Sequence, residues 1–216
     1  GSQQPQGFDS GLLSPATVLR TQRTLTHQAP RRSAGAWARF RRAYPGSWVA
    51  QWDAATDVVH RIWGQGIDAP GTVASDQKAL AFSEAFLAKH LDLLAPGTSL
   101  TDFKVVSNRT QIGMRVVGVH QFKDGMRVVG GQLSLRYKND RLFTIASQAA
   151  PNVGVSAPAT IVDQGPAQTE GLTWIEAELN TLGIVRGFEG PMVLPLVEQG
   201  RAPQYRVVMK VEVETK

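Results

Sequence analysis

Residues Met114–Ala146 read MRVVGVHQFKDGMRVVGGQLSLRYKNDRLFTIA, and this stretch decides the fold. Apolar and polar residues alternate through three runs, Ile112 to Gln121, Met126 to Tyr137 and Leu142 to Gln148, the period of strands with one buried face. Lys123-Asp124-Gly125 and Lys138-Asn139-Asp140 separate them, and Asp, Asn and Gly are the residues that tolerate tight turns. The pattern predicts a three-stranded antiparallel meander. Inside its second strand the pair Gly130-Gly131 marks a bulge or a close backbone approach. No helix follows the pair, so it does not form a phosphate loop.

Upstream, Asp76 to Leu94 carries Leu80, Leu87, Leu91 and Leu94 on one helical face, widened by Phe82 and Phe86. Ser75 or Asp76 is its expected N-cap and Pro96-Gly97 its terminator. Thr101 to Ser107 supplies a further strand. Trp48 to Trp63 reads as a β-hairpin around the loop Asp53–Asp57, and Ser33 to Tyr44 as a short amphipathic helix stopped by Pro45-Gly46. Residues 1–30, with few large apolar groups, are expected to form a flexible arm, and residues 31–150 a first domain.

A segment rich in Pro, Gly, Ser and Ala, 151–166, reads as a linker. A second unit, 167–216, then opens with a helix from about Gln168 to Leu182, in which Leu172, Ile175, Leu179 and Leu182 line one face and Gly183 is the expected cap. Met192 to Val197 carries Pro195 and is expected at a sheet edge, and Tyr205 to Val213 is a half-buried strand. The fold class expected is α+β, as two small units, each an antiparallel sheet packed against a helix.

With 216 residues, 42% apolar and 19% charged, the chain has enough apolar surface for a core. Its net charge of +5 favours acidic partners or surfaces without naming one. There is no cysteine, which removes disulfides and thiolate chemistry. No apolar run approaches the roughly 20 residues of a membrane-spanning helix, and no membrane partner is expected. Gly1-Ser2 reads as a cleavage scar, and the strand-like run reaching Lys216 reads as a fragment of a longer polypeptide.

A zinc peptidase helix needs two histidines one turn apart with a glutamate beside the first, so that both imidazoles reach one metal. His27, His60, His90 and His120 are dispersed, and the chain lacks that arrangement. It also lacks the Gly-x-Ser-x-Gly elbow of a serine hydrolase. We therefore expect no catalytic residue, no bound metal and no cofactor. Asp53 and Asp57 read as loop formers. Arg31, Arg32, Arg39, Arg41 and Arg42, interleaved with Trp37 and Phe40, form the candidate site for nucleic acid or another polyanion, and an ordinary amphipathic helix explains them as well.

The spaced residues Gln121, Asp124-Gly125, Val128 and Gly130-Gly131 resemble the fungalysin/thermolysin propeptide module of secreted bacterial zinc metallopeptidases. Arg127 and Val129 depart from the proline and aromatic common there. The unit Ala167 to Val213, with its Tyr205-Arg-Val-Val strand, is similar to the PepSY module that follows, and the order of elements extends the resemblance over roughly residues 45–216. It implies a propeptide, secreted or periplasmic, that acts as intramolecular chaperone and temporary inhibitor of a cognate metallopeptidase catalytic domain, in cis or in trans, within a zinc metallopeptidase precursor.

On that resemblance Gln121, Gly125, Val128, Gly130, Gly131, Tyr205, Val211, Glu212 and Val213 are protease-contact candidates. Val211 to Lys216 would lead toward the protease, and sheet edges in the meander and at Met192 to Val197 would dock it by strand addition. For single residues a purely internal role is the competing expectation: Gln121 satisfying a nearby backbone group, the glycines permitting a twist. The alternative functions are a free-standing secreted inhibitor or binding module, and the basic polyanion binder.

Overall fold

The computed structural model describes residues 24–161, 163–198 and 201–215. Among them the strands are β1 (Leu25–Thr26), β2 (Trp48–Asp53), β3 (Val59–Asp68), β4 (Phe103–Gln111), β5 (Met114–Lys123), β6 (Met126–Lys138), β7 (Arg141–Ser147), β8 (Gly183–Leu196) and β9 (Gln204–Thr215). The helices are α1 (Arg31–Ala43), α2 (Asp76–Leu94) and α3 (Gln164–Leu179). The class is α+β. One sheet runs β1-β2-β3-β7-β6-β5-β4 with antiparallel neighbours throughout, and β8 and β9 form an antiparallel pair joined to it through a short parallel contact between β6 and β8.

The meander forms as the alternation requires, and β4 adds to it: Phe103 to Gln111 pairs with Met114 to Gln121, two strands joined at Ile112 and Gly113, both with positive φ. The strand expected at Thr101 to Ser107 therefore begins later and runs further, after a 3₁₀ turn at Leu100–Asp102 closed by a reciprocal Ser99–Asp102 cap. Asp124, Gly125, Asn139 and Asp140 occupy the left-handed turn positions for which their side chains suit them.

The main core lies between this sheet and the two helices of the first unit. Phe40, Trp52, Ile62, Leu87, Leu94, Leu133, Leu135, Tyr137, Leu142 and Ile145 are its fully buried heart. Ser75 caps α2 by accepting from the Lys78 N–H at 3.3 Å. Two buried hydroxyls fasten α2 to the sheet: Ser83 Oγ and Tyr137 OH stand 2.6 Å apart, and Ser147 donates to the Leu94 carbonyl at 2.6 Å.

Tertiary context moved several boundaries. The arm expected over residues 1–30 lies mostly outside the described residues, but Leu25 and Thr26 are not an arm: they extend the sheet by pairing with Asp53 and Trp52. The linker is only half solvated, because Pro151 and Val153 are buried while residues 156–161 are exposed. Helix α3 starts at Gln164 and stops at Leu179, earlier than expected at both ends, and its left-handed cap is Asn180 rather than Gly183, which instead opens β8. As a result Leu179 and Leu182 are 57% and 68% exposed, and Ala167 is the buried residue of that helix.

The edge strand expected over Met192 to Val197 is longer than expected and ends at Leu196, and only the first two of those residues are paired on both sides. It lies within a 14-residue strand held along its length by β9 and, at Met192 and Val193, also by β6. Pro195 lies past that second contact, where β8 has no partner on the side away from β9, so the proline signal holds at that residue.

Candidate docking site at the junction of the two sheets

The inward-facing residues of β6 change parity along the strand. Met126 and Val128 are buried before the glycine pair, and Gly131, Leu133, Leu135 and Tyr137 after it. Between the pairs His120↔Gln132 and Phe122↔Arg127, β5 advances two residues while β6 advances five. Gly130, at φ +72°, makes this bulge. The first part of β6 is thereby freed from β7 and pairs in parallel with β8, Arg127 with Met192 and Val128 with Val193.

Gln121 sits opposite the bulge and is 1% exposed. Its side-chain amide donates to the Ala150 carbonyl at 2.9 Å and accepts from the Ala150 N–H at 2.8 Å, so it acts as a substitute strand partner for the start of the linker. A buried amide with both ends bonded meets the requirement that buried polar groups be satisfied. Met126, Val128, Ala150, Val153 and Val193 make a second small core over this lock, covered by Val155, Tyr205 and Val207. The Tyr205 hydroxyl, its pKa pushed up to about 12 by burial, stays protonated and donates to the Pro151 carbonyl.

The glycines divide the work. A Cβ on Gly131 would stand 2.8 Å from Gln121 Oε1, 2.9 Å from Gln121 Cβ and 3.0 Å from Val128 Cβ, whereas Gly130 and Gly125 face open space. Gly131→Ala is expected to lose about 2 kcal/mol by overpacking against the lock. Gly130→Ala is expected to lose only the roughly 1 kcal/mol of a left-handed non-glycine residue. Urea denaturation of both variants checks the order; equal losses would show that Gln121 and Val128 yield to the added methyl.

Two clefts flank the junction. One, of about 580 Å³, lies between α3 and the β8–β9 pair and is walled by Trp174, Ile175, Met192, Met209, Val211 and Val213. The other, about 480 Å³, runs from Leu25 and His60 past Gly130 and Ala150 to Tyr205. Across the outer face runs a charge ladder: Arg127 to Glu189 at 3.8 Å, Glu189 to Lys210 at 4.0 Å, and Lys210 to Glu212 at 2.9 Å.

The structure thus brings Gln121, Val128, Gly130, Gly131 and Tyr205 together, and holds Gln121 and Val128 among the chain's own atoms. Gly125 sits apart at the exposed β5–β6 turn, Val211 and Val213 stand half-buried against α3, and Glu212 is exposed beside Lys210. The residues missed in the sequence are Ala150, Pro151 and Val193. The signal available was Gln121 itself, which shares strand parity with Val117 and Val119 and so had to find a buried partner.

The histidines stand apart: His27 Nδ1 is 3.2 Å from the Ala50 carbonyl oxygen, His90 is buried beside Tyr44, His60 lines the second cleft, and His120 lies on β5. Among the described residues no three His, Cys, Asp or Glu side chains converge in a metal-binding arrangement. On α1 all five arginines are exposed, while Trp37 is 9% exposed and Phe40 fully buried. Arg39 is ion-paired with Asp92, Arg32 lies 4.0 Å from Asp57, and Arg41 lies over the Trp37 ring at 5.6 Å. The two aromatics are therefore core residues, and no base can stack on them.

No protein-family model and no curated protein matches the chain. Among solved structures, the Bacillus megaterium YpeB C-terminal domain is similar at 10% identity and a TM-score of 0.36, over 78% of this chain and 76% of that one. A likeness at that level carries no functional conclusion.

Proposed function

We propose that the chain is a non-catalytic, propeptide-like module that binds the catalytic domain of a secreted zinc metallopeptidase, assisting its folding and obstructing its cleft. The observation that carries this reading is the β4 edge: among the described residues Phe103 to Gln111 pairs only with β5, and its Val105 and Val106 side chains are 43% and 51% exposed. A backbone edge with adjacent apolar side chains suits docking of another chain's strand. The ladder with β5 along the whole of β4 supports the reading by holding that edge on a preformed scaffold, which lowers the ordering cost of binding. A surface that binds the native-like protease and not its unfolded chain stabilises it by mass action, and the same contact blocks substrate.

The test is refolding of a thermolysin-type zinc metallopeptidase with the purified chain present. Wild type is expected to raise recovered activity and to inhibit the folded enzyme, and Val105→Asp with Val106→Asp to lose both effects. No effect of wild type on either measurement sinks the reading. The rival, polyanion binding through Arg31, Arg32, Arg39, Arg41 and Arg42, retains only its electrostatic half; steeply salt-dependent DNA binding lost on neutralising those arginines would favour it.

A further inference from the structure

Among the described residues, the open edges of the sheet system at β1, β4, β9 and the parts of β8 outside Met192 and Val193 differ, and β8 is interrupted by register shifts at Val185/Gly187 and Glu189/Met192. β1 is two residues long, and β4 is broken by a bulge at Val106, since Val105 pairs with Val119 and Ser107 with the adjacent Gly118. A two-residue edge and a bulged one limit long, in-register pairing with a second copy, while β4 keeps regular stretches on either side of its bulge for a shorter docking strand. β9 has neither: it is 12 residues, QYRVVMKVEVET, without Gly or Pro, and among the described residues it pairs with β8 alone.

Its charges are ordered along the strand. Arg206 and Lys210 occupy the first part of the outer face, Glu212 and Glu214 the last. Glu214 is bonded to Arg186 and Glu212 to Lys210, but Arg206 stands opposite Leu194 and has no ion pair among the described residues.

We propose that a second copy of this chain pairs antiparallel along the free edge of β9, centred on Met209. This register sets each Arg206 opposite Glu212 of the second copy, Tyr205 opposite Val213, and Val207 opposite Val211. Lys210 then faces Val208. Shifting the centre to Lys210 would place two lysines opposite each other, and shifting it to Val208 would set Arg206 against Lys210, both unfavourable. A centre at Val211 also pairs unlike charges, Lys210 with Glu212, but sets Tyr205 and Arg206 beyond the described end of the opposing strand. Because the twofold axis stands perpendicular to the sheet, the Met209, Val211 and Val213 faces of both copies lie on one side, next to both α3 helices. The result is a four-stranded β8-β9-β9-β8 sheet with oppositely charged pairs at two symmetry-related places.

The β4 edge offers no such match to itself, since Lys104 and Arg109 are its charged residues and both are cations.

Sedimentation equilibrium on the full chain tests the inference. Wild type is expected to dimerise, and Arg206→Glu and Glu212→Arg each to weaken the dimer about tenfold or more, because each replaces two attractive cross-strand pairs by two repulsive ones. The double variant R206E/E212R is expected to restore dimerisation, and a mixture of the two single variants to form the heterodimer. Both side chains are exposed, and circular dichroism confirms that each variant keeps the fold. A monomeric wild type, or a dimer indifferent to both single substitutions, overturns the inference. A dimer that survives Arg206→Glu but is lost on Lys210→Glu overturns this register. No protease enters the experiment, so its outcome stands independently of the proposed function.

Discussion

Replacing Gln121 by leucine is expected to lower the stability of the protein by about 3 kcal/mol and to loosen the second sheet from the first. Leucine fills much of the same space but bonds to neither Ala150 group, which leaves one buried N–H and one buried carbonyl unpaired at roughly 1–3 kcal/mol each. The loss should be local as well as global. Ala150 begins the segment over which Tyr205 and Val193 pack, so its amide hydrogen should exchange much faster in the variant while amides of the main core, such as Leu135 and Ile145, keep their relative protection. Hydrogen exchange with urea denaturation reads both quantities. A variant with wild-type stability and unchanged exchange at Ala150 would show that the lock is dispensable.

Stability is expected to fall by about 3 kcal/mol as pH drops from above 6.5 to about 4, through a single histidine. His90 is 5% exposed, in contact with the rings of Phe40, Tyr44 and Phe86, with Nε2 3.0 Å from the Tyr44 hydroxyl. Burial, helped by the Lys89 charge and opposed by Asp92, holds its pKa down at about 4 against 6.5 for a free imidazole. The unfolded chain therefore takes up a proton near pH 6.5 that the folded chain refuses until about pH 4. Stability is fully present above 6.5 and declines across that window at about 1.4 kcal/mol per pH unit. His90→Gln keeps a polar partner for Tyr44 and removes the titration, so its pH profile should flatten between 6.5 and 4. An unaltered slope in that variant would move the effect to other groups. His90 also has non-helical dihedrals, at φ −127°, within α2, so the ring and the kink occupy one place in the helix.

Much of the architecture was legible because the interactions that make it are local. Alternation at 117, 119 and at 133, 135, 137 is a statement about pleat; Asp124-Gly125 and Asn139-Asp140 state which residues tolerate left-handed backbone; and Ser75 and the leucines of Asp76 to Leu94 state where a helix begins and which face it buries. The change of parity between Val128 and Leu133 was also written in the order of residues, and it is what a bulge at Gly130-Gly131 looks like in one dimension. The errors fell where a local preference met a distant partner. Leu25 and Thr26 lie in a stretch with few large apolar groups, yet they join the sheet because Trp52 and Asp53 offer them a partner. Leu179 and Leu182 repeat at helical spacing, but the chain leaves α3 at Asn180 and carries Leu182 away from the helix.

The candidate site divides the same way. By itself the sequence determined the meander and its turns, the Trp48 to Trp63 hairpin, the glycine pair inside β6, the +5 charge and the absence of thiol chemistry, since each depends on residue identity and near neighbours. Only the tertiary structure decided that Gln121 is spent on Ala150, that the linker is half core, and that β4 and β9 are open edges. Those facts depend on groups 29 residues apart, as Gln121 and Ala150 are, or further, and no period or motif carries information over that distance.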